Sequence, residues 1–201
     1  MNKGKQNGAT RRMAGLAIFT AMIVVLQVLC TFVRFGPFSI TLALAPIIIG
    51  AAMYGKSAGA YLGGVFGAVV LITGLLGWDG GTVMYLMSIN PVGCVLICLG
   101  KGIAAGFLAG LVFDALSEKH EKLAVPVAGV VCPVVNTGLF IVGMLVFFSD
   151  TLNGWAAATG QALLLYIIMG MTGVNFLVEL AVNIVLSSGI SRIIRAGRQM
   201  K

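Results

Sequence analysis

The sequence predicts an all-α integral membrane protein, a bundle of six transmembrane helices with both termini in the cytoplasm. Three observations lead there. Hydrophobic residues make up 59% of the 201 residues and charged residues only 9%, whereas soluble domains carry about a quarter charged residues. Six apolar segments recur along the chain. Lys and Arg gather on alternate connections between them.

A helix rises 1.5 Å per residue, so a bilayer core of about 30 Å needs roughly 20 apolar residues. The first segment, Met13–Val33, follows the basic residues Lys3, Lys5, Arg11 and Arg12. It is too long for a signal-peptide core and lacks an A-x-A cleavage site, so it reads as a retained span. The second, Phe38–Tyr54, is short and is expected to be tilted or irregular. Ala58–Leu76 and Pro91–Phe113 follow as the third and fourth, and Leu123–Phe148 as the fifth. The sixth, Ala162–Ile190, is long enough for part of it to lie outside the membrane. Backbone groups in lipid must be bonded within their own segment, so these are helices. The alternating strands of a membrane barrel are absent from the sequence. One integral domain, residues 1–201, is expected, with no linker or low-complexity tract.

The charge count sets the orientation. Eleven of the 13 Lys and Arg lie at the termini and on the even connections: Lys3, Lys5, Arg11, Arg12, Lys56, Lys119, Lys122, Arg192, Arg195, Arg198 and Lys201. Of the other two, Arg34 stands on an odd connection and Lys101 inside the fourth span. The positive-inside rule puts the termini and even connections in the cytoplasm. The +7 net charge and pI near 9.5 therefore report topology. Nucleic acid is excluded as a partner because no soluble domain remains to read it. The expected location is the plasma membrane of a prokaryote.

Polar residues at membrane depth are costly unless partnered, and they mark candidate sites. Lys101 sits mid-way along the fourth span and Glu179 inside the sixth. Asn175, Glu179 and Asn183 are spaced i, i+4, i+8 and share one helix face. Asn136 lies in the fifth span, Gln27 late in the first, and Asn90 at the mouth of the fourth. Two readings stay open for Lys101: an internal pair with Glu179, or a cavity in which it receives a substrate carboxylate or phosphate. Arg34, Trp78 and Tyr85, on the outer connections, are candidates for a lid or for interfacial anchors. The candidate substrate-binding set is thus Gln27, Arg34, Trp78, Tyr85, Asn90, Lys101, Asn136, Asn175 and Glu179.

Small residues recur four apart at Gly59, Gly63 and Gly67 and again at Gly102, Gly106 and Gly110. That spacing lets two helices approach closely. Ala14, Ala17 and Ala21 give the first span a small face that could meet another protein. Cys30, Cys94, Cys98 and Cys132 lie in apolar runs without metal or redox spacing, and read as packing residues. No catalytic motif, metal motif or Walker A sequence appears, so neither an enzyme nor a resident cofactor is expected.

The whole pattern resembles the substrate-binding S components of energy-coupling factor (ECF) transporters. Three stretches carry the resemblance: AIFTA at Ala17–Ala21, NPVGCVLICLGKGIAAGFLAGLV at Asn90–Val112, and NFLVE at Asn175–Glu179. It implies high-affinity capture of a vitamin at the outer face. It also implies docking, through Ala17 and Ala21 with Ala14 beside them, on a transmembrane coupling subunit served by two ATPases. Loops around Arg34–Phe38 and Gly77–Asn90 would gate the pocket. The absence of a His-rich N-terminus argues against a nickel or cobalt cargo, and Lys101 suits an anionic vitamin, pantothenate first, then folate or riboflavin. The competing readings are an independent secondary transporter or channel, and a membrane enzyme.

Overall fold

The computed structural model describes residues 3–35, 38–39, 41–118, 120–173 and 176–185. Among the described residues the regular structure is helical apart from one short hairpin. Helix α1 (Lys3–Thr31) leads into β1 (Arg34–Phe35) and β2 (Phe38–Ser39), which pair antiparallel with Arg34 opposite Ser39. Then come α2 (Leu44–Tyr54), α3 (Lys56–Leu75), α4 (Thr82–Ile89), α5 (Pro91–Ser117), α6 (Glu121–Phe147) and α7 (Ser149–Ala158). A short α8 (Leu163–Leu165) runs directly into a π-helix, Tyr166–Gly173. The last described helix, α9, is Phe176–Val185.

Among the described residues four helices are long and apolar enough to cross a membrane: α1 from Thr10, then α3, α5 and α6. They coincide with the first, third, fourth and fifth expected spans to within a few residues. The second and sixth expected spans take other forms. Helix α2 has 11 residues, a length of about 16 Å. The polar hairpin and the turn at Ala43 occupy the positions where the expected span begins, so the helix starts at Leu44 rather than at Phe38. It is nonetheless the most enclosed element, with Leu44 through Ala52 all buried. The expected sixth span is divided into α8, the π-helix and α9. Its first part, Leu163–Gly170, meets α7 of the preceding connection at 93°, the two together counting as at most one bent span. Gly170 and Gly173 lie in the π-helical stretch that interrupts it. Wide π-turns inside helices are uncommon and cluster at functional sites.

The elements alternate in direction between the two ends of the bundle. At one end Tyr54 of α2 fills the space beside Gly15, and the Lys56 backbone packs on Gly110. At the other, Phe32 stacks on Trp78, with centroids 5.8 Å apart, and Phe147 packs on Gly93. This second end also carries the β-hairpin, α4 and α7, and is called the hairpin end below.

Helices α3 and α5 lie in backbone contact. A Cβ on Gly59, Gly63 or Gly67 would run into the backbone carbonyl of Gly106, Gly102 or Cys98 respectively. The antiparallel register is therefore set by glycine spacing on both helices, as the sequence pattern suggested. Ile47, Ile48, Leu62, Phe66 and Ala105 fill the core beside this seam. A second core at the hairpin end joins Leu86, Cys94, Ile97, Met144, Phe148 and Leu152.

Candidate substrate-binding site

The α1 residues Gln27 and Thr31 are buried near the hairpin end, and the Thr31 hydroxyl donates to the Gln27 backbone carbonyl at 2.8 Å. Such back-bonding satisfies the hydroxyl inside the helix and leaves the Gln27 side chain to face the interior. Its Oε1 has no hydrogen-bond partner. After the hairpin, the Thr41 N–H donates to Glu179 Oε1 at 3.1 Å. Glu179 is only 5% exposed, and its other oxygen is unpartnered. One turn on, the Asn183 Nδ2 donates to the Glu179 backbone carbonyl at 2.8 Å, while its Oδ1 is unpartnered.

Helix α6 supplies the facing wall. Cys132, Asn136 and Phe140 are four residues apart and share one face. Cys132 and Asn136 are buried, and Asn136 Oδ1 is again without a partner. Gly129, on the preceding turn, lies against the Asn183 backbone. Pro133 removes the N–H that would bond the Gly129 carbonyl, so the α6 ladder is interrupted where α9 crosses it.

Lys101 enters from α5. Its ammonium lies 4.9 Å from the centroid of the Phe140 ring and 5.8 Å from that of Phe66. Both distances are within cation–π range. No ion pair joins it to Glu179, whose Oε2 has no partner. Lys101 thus has aromatic faces for company and no counter-ion among the described residues. It stands ten residues into α5 from Pro91, about 15 Å from the hairpin end. Asn136, eleven residues before Phe147, lies about 16 Å from that end. Lys101 and Asn136 therefore occupy a common depth, while Gln27, four residues before the end of α1, lies about 6 Å from that end.

The remaining predicted residues fall elsewhere. Asn90 caps α5: its side chain accepts from the Gly93 N–H at 2.9 Å, with Pro91 in the first helical position. That is a helix-initiating arrangement. Trp78 and Tyr85 are exposed at the hairpin end. Trp78 stacks on Phe32, and Tyr85 of α4 on Trp155 of α7, with centroids 6.1 Å apart. Arg34 stands in β1, and Asn175 lies outside the described residues. Ala14, Ala17 and Ala21 are all exposed, on a helix whose other faces bury Ile23, Gln27 and Cys30.

Sequence reasoning did not assign roles to three groups. Asn183 carried a visible signal, the i+4 spacing from Glu179. Phe66 and Phe140 carried none, since a phenylalanine in an apolar helix looks the same whether it faces lipid or a cation. Asp79 accepts from the N–H groups of Gly81 at 3.0 Å and Val83 at 2.8 Å, and so anchors the start of α4. Among the described residues no group of three or more His, Cys, Asp or Glu side chains could hold a metal ion.

Residues 11–191 match the family model of the ECF transporter substrate-specific component. The chain belongs to that family. It is a membrane transport protein of the S-component class, and the family consists of transporters rather than enzymes. The pantothenic acid transporter PanT of Lactococcus lactis subsp. cremoris (strain MG1363) is 27% identical over 185 residues, covering 87% of this chain and 89% of that protein.

Proposed function

We propose that this S component captures an anionic vitamin, pantothenate before folate or riboflavin, at the outer face of a prokaryotic plasma membrane. It then delivers the vitamin inward by docking its Ala14, Ala17 and Ala21 face on a coupling subunit with two ATPases. The observation that carries this reading is Lys101: a cation at membrane depth, held over two aromatic rings, with no carboxylate among the described residues paired to it. Lys101 is half-buried, and a charge at membrane depth is costly without a counter-charge, which a ligand carboxylate supplies. The likeness to a pantothenic acid transporter fits a ligand with such a group. The basic termini and even connections place the hairpin end outside, so α4, α7 and the hairpin would cover the entrance. The six expected spans are retained in this reading, with α2 enclosed by the bundle and the sixth bent.

The chain has no ATP-binding motif of its own, so uptake would depend on partners. Titration of the purified protein with pantothenate should give one ligand per chain. Uptake into cells should require co-expression of the coupling and ATPase subunits. Flux through liposomes holding this chain alone would instead support an independent transporter, and turnover of a lipid substrate a membrane enzyme.

A further inference from the structure

We infer that Gln27, Asn136 and Asn183, together with the free oxygen of Glu179, read hydroxyl and N–H donors of the ligand and so set its specificity. The inference rests on the reading of Lys101 as the carboxylate receptor and extends it to the rest of the ligand.

All four side chains are at least 95% buried, and each leaves one oxygen unbonded. Native proteins rarely bury unpaired polar atoms, and each such atom carries a desolvation cost. Here four such oxygens occur, on α1, α6 and α9, and α6 and α9 touch where Gly129 lies against the Asn183 backbone. One of them does not depend on how an amide is turned. The Asn183 amide is fixed because its nitrogen donates to the Glu179 carbonyl. The protein thus supplies one cation and a surplus of acceptors. A matching ligand carries an acid group at one end and several donors along its length. Pantothenate, with a carboxylate, two hydroxyls and an amide N–H, has that pattern, whereas a simple fatty acid or a keto acid does not.

The test titrates the full-length protein in detergent with three probes. These are pantothenate, its alcohol analogue with CH2OH in place of the carboxylate, and a didehydroxy analogue that keeps the carboxylate. Wild type should bind the didehydroxy analogue at least about tenfold more weakly than pantothenate. Gln27→Leu and Asn183→Leu should each lower pantothenate affinity about tenfold or more. They should leave affinity for the didehydroxy analogue nearly unchanged. Because the Gln27 oxygen has no partner within the protein, Gln27→Leu should not lower the ligand-free melting temperature, and a rise supports the inference. Asn183→Leu also loses the bond from its Nδ2 to the Glu179 carbonyl and should lower it by no more than the loss of that one bond.

Equal affinity for pantothenate and the didehydroxy analogue overturns the inference while leaving the Lys101 reading intact. Equal affinity for pantothenate and the alcohol analogue does the reverse. Ligand-free protein stabilised by sodium chloride over choline chloride would mean that a cation fills the oxygens, and would also overturn it. If no probe binds, the pantothenate reading falls and the melting temperatures decide. A clear drop in both Leu variants means the oxygens are bonded within the protein, and sinks the proposal.

Discussion

Replacing Lys101 by methionine separates a binding role from a structural one, because the structure gives each role a different magnitude. In the folded protein the ammonium contacts two rings, at 4.9 and 5.8 Å from their centroids. Each contact stabilises by about 0.5–1 kcal/mol at a partly exposed site. Methionine has a similar length and makes sulfur–aromatic contacts of about 0.3–1.5 kcal/mol. It also removes the cost of holding a charge at membrane depth. The ring contacts nearly cancel and loss of the charge cost can only stabilise, so Lys101→Met should leave folding stability unchanged or raise it. Ligand binding differs. A carboxylate entering the same site would be left buried without its cation, a loss of about 2–5 kcal/mol, or roughly 30- to 4,000-fold in Kd. Titration calorimetry with pantothenate and thermal melting of the ligand-free protein read the two quantities separately. Unchanged affinity would show that Lys101 does not meet the ligand. A large fall in melting temperature without ligand would show that it holds the bundle together.

Three other substitutions address the docking face, the seam and the entrance. Ala17→Trp should leave pantothenate binding intact and abolish uptake in cells that express the partner subunits, because it puts a bulky ring on an exposed small-residue face; normal uptake would exclude that face as the docking site. Gly63→Leu places a side chain against the Gly102 backbone and should cost about 3 kcal/mol or more, since backbone cannot move aside as a side chain can. Size-exclusion chromatography should show loss of monodisperse protein, and a well-folded variant would mean that α3 and α5 separate easily. Asp79→Ala removes both hydrogen bonds at the start of α4, a local loss of about 1 kcal/mol. If α4 covers the entrance, stopped-flow release of bound pantothenate should speed up several-fold, and an unchanged rate would place the entrance elsewhere.

The long spans were legible in the sequence because length and apolar composition suffice for a helix in lipid. Helix α2 was not, because its 11 residues are buried within the bundle and are too few to cross a bilayer core alone, which needs about 20. The last region misled for a related reason. Its apolar run is continuous in composition, but the chain bends near Gly160, which has a positive φ of 68°, and again adopts π-helical turns before Gly173. Composition is blind to both. Helices α4 and α7 hid inside connections whose Gly, Trp and Asp content reads as loop. At the site, the polar residues announced themselves by being out of place in apolar helices, and Gln27, Lys101, Asn136 and Glu179 are all placed at the hairpin half of the bundle. Asn90 announced itself equally well and is a helix cap. A polar residue at a span's edge has local work available to it, whereas one at mid-depth has only the interior.

That distinction bears on how one helix could serve two partners. Gln27 and Ala17 are ten residues apart on α1, a rise of about 15 Å, and ten steps of 100° set them on different faces. The structure agrees: Ile23, Gln27, Cys30 and Thr31 point into the protein, while Ala14, Ala17 and Ala21 are exposed. A partner laid along the alanine face would therefore touch neither the acceptor oxygens nor Lys101. Docking and capture can then be altered independently by mutation. They remain coupled mechanically, because α1 is a single unbroken helix from Lys3 to Thr31. A displacement of its alanine end must be carried to the turn that holds Gln27. The docking variant Ala17→Trp should for that reason alter pantothenate affinity by less than about twofold in the isolated protein, and a larger change would mean that α1 is already shifted before any partner arrives.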